Sequence, residues 1–236
     1  MRRWLNCGTI RRGTSYGAFR GFALSTNHRR FLLLSAAASA VLAVLCIVAV
    51  DGRLAVALSS LSPGDKGPFN SFVRLCEVVF AFRISPYLYG VLIVAAGLLT
   101  KLSPAARRFS RPLLFVGLTH LTARFLVGIL KPPFSRLRPF EALAAGDWHD
   151  QWFAPIGNSF PSGHAVHVWS LFFPLAVLFP QYRLAMFVLP VLVSIARVAV
   201  NDHYLGDVLT SCAVAALLTL WFGAVMLKRR TAGEPS

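Results

Sequence analysis

From Phe31 to Val50 the chain runs for 20 residues without a charged side chain. A stretch of that length matches the hydrocarbon core of a bilayer, where the backbone must satisfy its own hydrogen bonds and therefore coils into a helix. Two more uncharged runs follow, Ile84–Thr100 (17 residues) and Val208–Leu227 (20 residues). Pro112–Leu130 has 19 residues and includes His120 and Arg124. Gly163–Pro180 has 18, apolar apart from His164 and His167, and Leu184–Val200 has 17, interrupted by Arg197 near its end. The pattern predicts an all-α integral membrane protein with six transmembrane helices. Only 14% of residues are charged and mean hydropathy is +0.62, which a soluble domain would not combine.

Basic residues orient the spans. The first 30 residues carry seven arginines and no acid. Lys101, Arg107, Arg108 and Arg111 cluster in one later connection, Arg183 lies in a short turn, and Lys228, Arg229 and Arg230 lie in the tail. The alternate connections, 51–83, 131–162 and 201–204, hold Asp51, Asp65, Glu77, Glu141, Asp147, Asp150 and Asp202. The positive-inside rule then sets both termini in the cytoplasm, as an even number of crossings requires. The expected layout is a basic cytoplasmic segment 1–30, a membrane domain 31–227 and a basic cytoplasmic tail 228–236.

The formal charge of +15 sits in membrane-flanking segments, where it sets topology and meets anionic headgroups. It forms no stripe along a soluble fold, so nucleic acid is not an expected partner. Ala55-Val56-Ala57 resembles a signal cleavage site, but the preceding run is longer and starts later than a signal's apolar core. Cys7, Cys46, Cys76 and Cys212 form no close pair and suggest neither a disulfide framework nor a metal cluster. Within 51–83, Pro63-Gly64-Asp65 reads as a turn. The following mixture of Phe72, Val73, Cys76, Val79, Phe80 and Phe82 with Arg74, Glu77 and Arg83 predicts an amphipathic helix at the outer interface. Ser85-Pro86 marks the start of the second span. Segment 132–162, with five prolines, reads as a long irregular connection of the kind that often carries function.

Ionisable residues near membrane depth are costly to bury and so are functional candidates. Here they fall at one face: Lys131, Arg136 and Arg138 after the third span, Ser162, Gly163 and His164 opening the fourth, Arg197 closing the fifth, His203 and Asp207 beginning the sixth. His203 and Asp207 are four apart and share a helix side. A carboxylate so placed accepts the proton on one ring nitrogen and leaves the other available for attack. Asn158-Ser159-Phe160-Pro161-Ser162-Gly163-His164 reads as a turn entering a helix whose first amides face an anion. Lys131, Arg138 and Arg197 suit a phosphoryl group. Each feature alone has a plainer reading: a boundary histidine, a snorkelling lysine, a turn at Arg138-Pro139, a structural His203–Asp207 pair. A metal set of His164, His203 and Asp207 is a further alternative, opposed by the surrounding cations.

Taken in order, these residues resemble the type-2 phosphatidic acid phosphatase superfamily, which also contains vanadium-dependent haloperoxidases and bacterial acid phosphatases. Lys131 with Arg138-Pro139 matches the first motif, and Pro161-Ser162-Gly163-His164 matches the second. Arg197, His203 and Asp207 match the third, with Ala196 where serine is common. The resemblance implies a metal-independent, cofactor-free hydrolase of a phosphorylated membrane lipid. In it, His203 is the nucleophile, Asp207 orients it, and His164 is the acid and later the base. Lys131, Arg138, Ser162, Gly163 and Arg197 bind phosphate. The lipid remains open among phosphatidic acid, phosphatidylglycerol phosphate, undecaprenyl pyrophosphate and lipid A, with a lean towards the last two. A bacterial inner membrane with a periplasmic active site is the expected setting. Non-catalytic binding or transport of a phosphorylated lipid is the alternative function.

Three accessory residues stay open. Arg124, seven before Lys131, either meets an acidic or phosphate group or is a structural or snorkelling arginine. Arg136 contacts a second phosphate or an anionic headgroup, or neither. His167 reads as structural, with tuning of the acid as the other reading. No face pattern makes oligomeric state legible.

Overall fold

The computed structural model describes residues 24–146 and 152–227. Most of the basic N-terminal segment, the tail, Cys7, Asp147, Trp148 and Asp150 lie outside the described residues. Nine α-helices form the described chain: α1 Thr26–Ala49, α2 Asp51–Ser59, α3 Pro63–Val79, α4 Leu88–Leu99, α5 Ser110–Phe134, α6 Pro139–Ala144, α7 Gly163–Leu178, α8 Arg183–Ala199 and α9 Leu205–Met226. No strand occurs among the described residues.

α7 is the centre. It is buried almost all round and packs against α5, α8 and α9, which is why its sequence is apolar without a polar stripe. α1 buries Leu32, Ala36, Ala43 and Cys46 on one face, chiefly against α9. It leaves Leu34, Val41, Val44 and Val48 at least 60% exposed, a surface suited to lipid tails rather than water. Small residues set the closest approaches. A methyl group on Gly117 would stand 2.7 Å from Val94 where α5 crosses α4, and one on Gly206 would stand 2.5 Å from Ile47 and 2.8 Å from the Asp51 carboxylate.

The six-span expectation is met in part. By length and composition four helical segments can cross a membrane, Thr26–Ala49, Arg107–Ala144, Pro180–Ala199 and Leu205–Met226, and the chain is a multi-pass membrane protein. The other two apolar helices are shorter. α7 has 16 residues, about 24 Å at 1.5 Å per residue, against a core of about 30 Å. It is short because it begins at the Ser162 cap and is followed by Pro180. α4 has 12 residues because the backbone only becomes helical at Leu88, past Pro86.

Two further expectations change. Pro63-Gly64-Asp65 is the first turn of α3, not a turn between elements. The Ser62 hydroxyl accepts the Asp65 amide at 3.2 Å and the Asp65 carboxylate accepts the Ser62 amide at 3.1 Å, a reciprocal cap with proline at a tolerated position. α3 is the amphipathic helix expected, its Val73 and Cys76 buried and Leu75 and Val78 exposed, and it packs on α8. Segment 132–162 is not wholly irregular, since α6 forms within it, capped by the Glu141 carboxylate on the Arg138 amide at 2.7 Å.

Candidate active site

The ends of α3, α5 and α8 and the starts of α2, α7 and α9 carry the residues of one polar cluster. Its nearest thing to a spine is the corner between α8 and α9. There the helix closes through a left-handed residue, Asn201 (φ 59°), with the Asn201 amide on Val198 O at 2.9 Å and the Asp202 amide on Arg197 O at 3.2 Å. Asparagine tolerates that conformation. The turn brings the His203 amide back to Arg197 O at 3.2 Å. The spacing Arg197, Asn201, Asp202, His203 therefore folds the third motif onto itself.

His203 is buried, and its Nδ1 lies 3.6 Å from Asp207 Oδ2 and 3.5 Å from Ser159 Oγ. Ser159 Oγ donates to the same Asp207 oxygen at 2.5 Å, and the Tyr204 amide does so at 3.0 Å. With Asp207 and Ser159 at Nδ1, Nε2 is the ring nitrogen left to face a substrate. Burial above all pushes the imidazole down to about 4; the Asp207 carboxylate opposes this, while the Arg197 and Lys131 charges add to it. His203 is thus neutral at physiological pH, the form that attacks.

Asp207 has a second anchor that the sequence did not suggest. Arg136 donates to Asp207 Oδ1 at 2.7 Å and to Asp51 Oδ2 at 2.9 Å, with all three side chains at most 3% exposed. Its guanidinium also lies over Tyr204, 3.8 Å from the ring centroid, and over Trp152 at 4.6 Å. Asp51 Oδ1 accepts the Gly206 amide at 3.0 Å. Burial raises the Asp51 carboxyl's proton affinity, opposed by Arg136 and that amide. Arg136 is therefore a strut between two carboxylates.

The remaining cations are held loosely or by single groups. Lys131 Nζ donates to Asn158 O at 2.6 Å. Arg197 pairs with Asp202 at 2.9 Å, and Arg138 approaches the same carboxylate at 3.7 Å. Arg124 Nη1 donates to Gly163 O at 2.5 Å, so the group it meets is a backbone carbonyl at the start of α7. Ser162 caps α7, accepting the Ala165 amide at 3.4 Å, and its carbonyl accepts Ser211 Oγ at 3.0 Å. The first amides of α7, at Gly163 and His164, lack intrahelical acceptors by position.

His164 Nε2 meets Glu77 Oε1 at 3.0 Å and has Arg197, His203 and Arg124 as electrostatic neighbours. His167 is elsewhere: it lies edge-on to His120 at 4.5 Å and packs against Phe80 and Phe82, while His120 Nδ1 bonds Ser170 Oγ at 2.8 Å. Among the described residues no three His, Cys, Asp or Glu side chains stand where they would hold a metal ion. The loop 152–159 is laced to 134–136, with the Ala154 amide on Ser135 O at 3.0 Å and the Ser159 amide on Arg136 O at 2.7 Å, which delivers Ser159 to Asp207. Asp51, Ser159, Glu77 and Asp202 are the cluster members that sequence reasoning missed. Asp202 alone carried a readable signal, an acid between Arg197 and His203.

Residues 112–231 match the model of the PAP2 superfamily. The chain is 35% identical over 103 residues to a protein named lipid A 1-phosphatase from Rhizobium johnstonii, covering 40% of each chain. A lipid A 1-phosphatase from Rhizobium etli is 33% identical over 103 residues, covering 40% of this chain and 42% of that one. The chain thus spans about two fifths of the length of the curated relatives it matches. A solved structure, a transmembrane PAP2-type phosphatidylglycerolphosphate phosphatase from Bacillus subtilis, overlaps 83% of this chain and 92% of its own, at 23% identity and a TM-score of 0.48.

Proposed function

The chain belongs to the PAP2 superfamily, and from that premise we propose that it hydrolyses a phosphate from a membrane lipid without a metal, through a phosphohistidine. The observation that carries the reading is the buried His203–Asp207 pair, with Lys131, Arg138 and Arg197 beside it. His203 Nε2 forms the bond to phosphorus as the bond to the lipid oxygen breaks, and His164 gives that oxygen its proton. His164 then takes a proton from water as the water oxygen bonds phosphorus. The P–N bond breaks, and inorganic phosphate leaves. Lys131, Arg138, Arg197 and the Gly163 amide bear the charge that spreads over the equatorial oxygens, and Ser162 caps the helix that presents that amide.

A lipid substrate is supported by an apolar cavity of about 360 Å³ between α2, α7, α8 and α9, lined by Leu54, Leu58, Trp169, Val198, Leu205 and Val208. Leu54, Leu58, Val198 and Leu205 also line a closed seam beside Asp51 and His203. In the same reading all six apolar helices cross the inner membrane, α3 lies at the outer interface, both termini are cytoplasmic and the site faces the periplasm. The name of the two Rhizobium relatives supports testing lipid A first among these substrates.

Phosphate release by detergent-purified protein, without added metal, tests this on lipid A, undecaprenyl pyrophosphate, phosphatidylglycerol phosphate and phosphatidic acid beside His203→Ala. Release that disappears in the variant is expected. Folded protein that binds these lipids and releases nothing supports the alternative, a non-catalytic carrier, and removes the hydrolase reading.

A further inference from the structure

α3 ends in a turn that a plain surface helix does not need. The Phe82 amide bonds Glu77 O at 2.8 Å and the Ala81 amide bonds Val78 O at 3.0 Å, the double closure usually made around a left-handed glycine. Here the left-handed residue is Ala81, at φ 50°, where a Cβ costs about 1–2 kcal/mol. Backbone held in such a conformation is over-determined by its surroundings, and the residues flanking Ala81 pack on His164, His167 and Arg124. The Phe82 ring lies on the imidazole face, 4.1 Å between centroids at 22°. Glu77 Oε1 meets His164 Nε2 at 3.0 Å, and Glu77 Oε2 is held by Arg83 Nε at 3.0 Å. His164 is thereby fixed on its ring face and at one nitrogen by a segment 87 residues away in sequence. Its electrostatic neighbours are Arg197, His203, Arg124 and, more weakly, His167.

The cluster so contains two carboxylate–histidine pairs of unlike burial. Asp207 is fully buried beside His203, whereas the Glu77 side chain keeps 17% of its exposure beside His164. We propose that Glu77 is the positioning residue of the catalytic acid: its carboxylate accepts the His164 Nε2 proton and turns Nδ1 towards the lipid leaving oxygen. As the P–O bond breaks, the Nδ1 proton passes to that oxygen, and the neutral imidazole stays bonded to Glu77 through Nε2–H. In the second half-reaction Nδ1 takes the proton from the attacking water. The carboxylate stabilises the imidazolium that opens each turnover, amid arginines that disfavour it. This inference rests on the phosphatase reading above.

Leaving-group dependence separates a group acting through the acid from one that merely holds the fold. A nitrophenolate departs without a proton, whereas an alkoxide needs one. The value of kcat/KM reports events through the first P–O cleavage. It would be measured for 4-nitrophenyl phosphate and for dodecyl phosphate with wild type, Glu77→Gln, Glu77→Asp and Arg83→Ala. Glu77→Gln is expected to lose about tenfold or more on dodecyl phosphate and less than about threefold on the nitrophenyl ester, since general acid catalysis contributes about 10²–10⁴-fold. Glu77→Asp should recover part of the alkyl activity. Arg83→Ala, which frees Glu77 Oε2 but leaves Oε1 on His164, should show the same selective loss as Glu77→Gln in smaller degree, as an exposed ion pair contributes little. Equal losses on the two esters, or none, overturn the inference while the phosphatase reading stands. Wild type inactive on both overturns the reading and the inference with it.

Discussion

Removing Asp51 tests whether the strut under Asp207 is a structural necessity. Arg136 lies between two carboxylates at 2.9 and 2.7 Å, and the three side chains are 1–3% exposed or fully buried. Asp51→Ala leaves Arg136 and Asp207 as a neutral pair, so no net charge is stranded. It removes the acceptor of two buried donors, an Arg136 Nη and the Gly206 amide. Each orphaned donor costs about 1–3 kcal/mol, so the variant should lose about 2–6 kcal/mol. Asp51→Asn keeps one carbonyl oxygen and should lose about half of that. Arg136→Met strands two buried carboxylates together and should be the worst of the three, at about 3–5 kcal/mol or more.

Reversible unfolding in mixed micelles gives these values, and phosphate release by the folded fraction gives the companion measurement. Asp51→Ala retains the Ser159 and Tyr204 bonds to Asp207, so its kcat should fall by less than about tenfold. Stability of Asp51→Ala within about 1 kcal/mol of wild type would refute the reasoning, because a relaxed or water-filled strut needs no second carboxylate.

Three further outcomes follow from the same geometry. The folded protein holds His203 at about 4 against 6.5 in the unfolded chain, so it binds fewer protons between those values. Its contribution to stability is complete above pH 6.5 and declines as pH falls towards 4, by about 3 kcal/mol in all. The acidic limb of kcat/KM should include a step near 4; unfolding free energies that do not change across that window would contradict it. Arg124→Gln should lower stability by about 1.5–3 kcal/mol through the lost charged bond to Gly163 O, with KM unchanged; a KM that rises with stability intact would give Arg124 a phosphate contact instead. Asp202→Asn removes a negative charge shared by Arg138 and Arg197 and should tighten inhibition by inorganic phosphate about fivefold, roughly 1 kcal/mol for a half-exposed site. Weaker inhibition would mean that Asp202 serves mainly to aim the arginines.

How much of this was legible depends on sequence distance. The apolar runs and the His203–Asp207 spacing are local, and they led to the helices and to the buried pair. Asn201 and Asp202 were also local, and the closing turn of α8 was readable from an asparagine four residues after Arg197. Glu77, Asp51 and Ser159 reach their partners across 87, 155 and 48 residues, and no periodicity encodes such pairings. Pro63-Gly64-Asp65 was misread because proline and glycine outweighed Ser62 and Asp65, whose three-residue spacing is the capping signal. The span expected from Gly163 begins where α7 does, at the Ser162 cap, and what the apolar run did not reveal is that its helix has only 16 residues.

Burial sorts the five cations that the sequence offered, as ligands or as accessory candidates, for a phosphate. Arg136 and Arg124 are 2% and 8% exposed, and their bonds go to carboxylates and a carbonyl that also hold helix ends. An arriving phosphate could take them only by releasing the starts of α7 and α9 from these bonds. Lys131 and Arg138 are half-exposed, and Arg197, though buried, shares with Arg138 a carboxylate that is itself 25% exposed. Asp202 therefore offers a partner that a more highly charged anion can replace at little structural cost, because both arginines keep their charge neutralised before and after. A phosphomonoester dianion brings more charge than a carboxylate, whereas a phosphodiester brings no more. On the proposed reading, the exchange therefore favours terminal phosphates over the diester linkages of ordinary bilayer lipids.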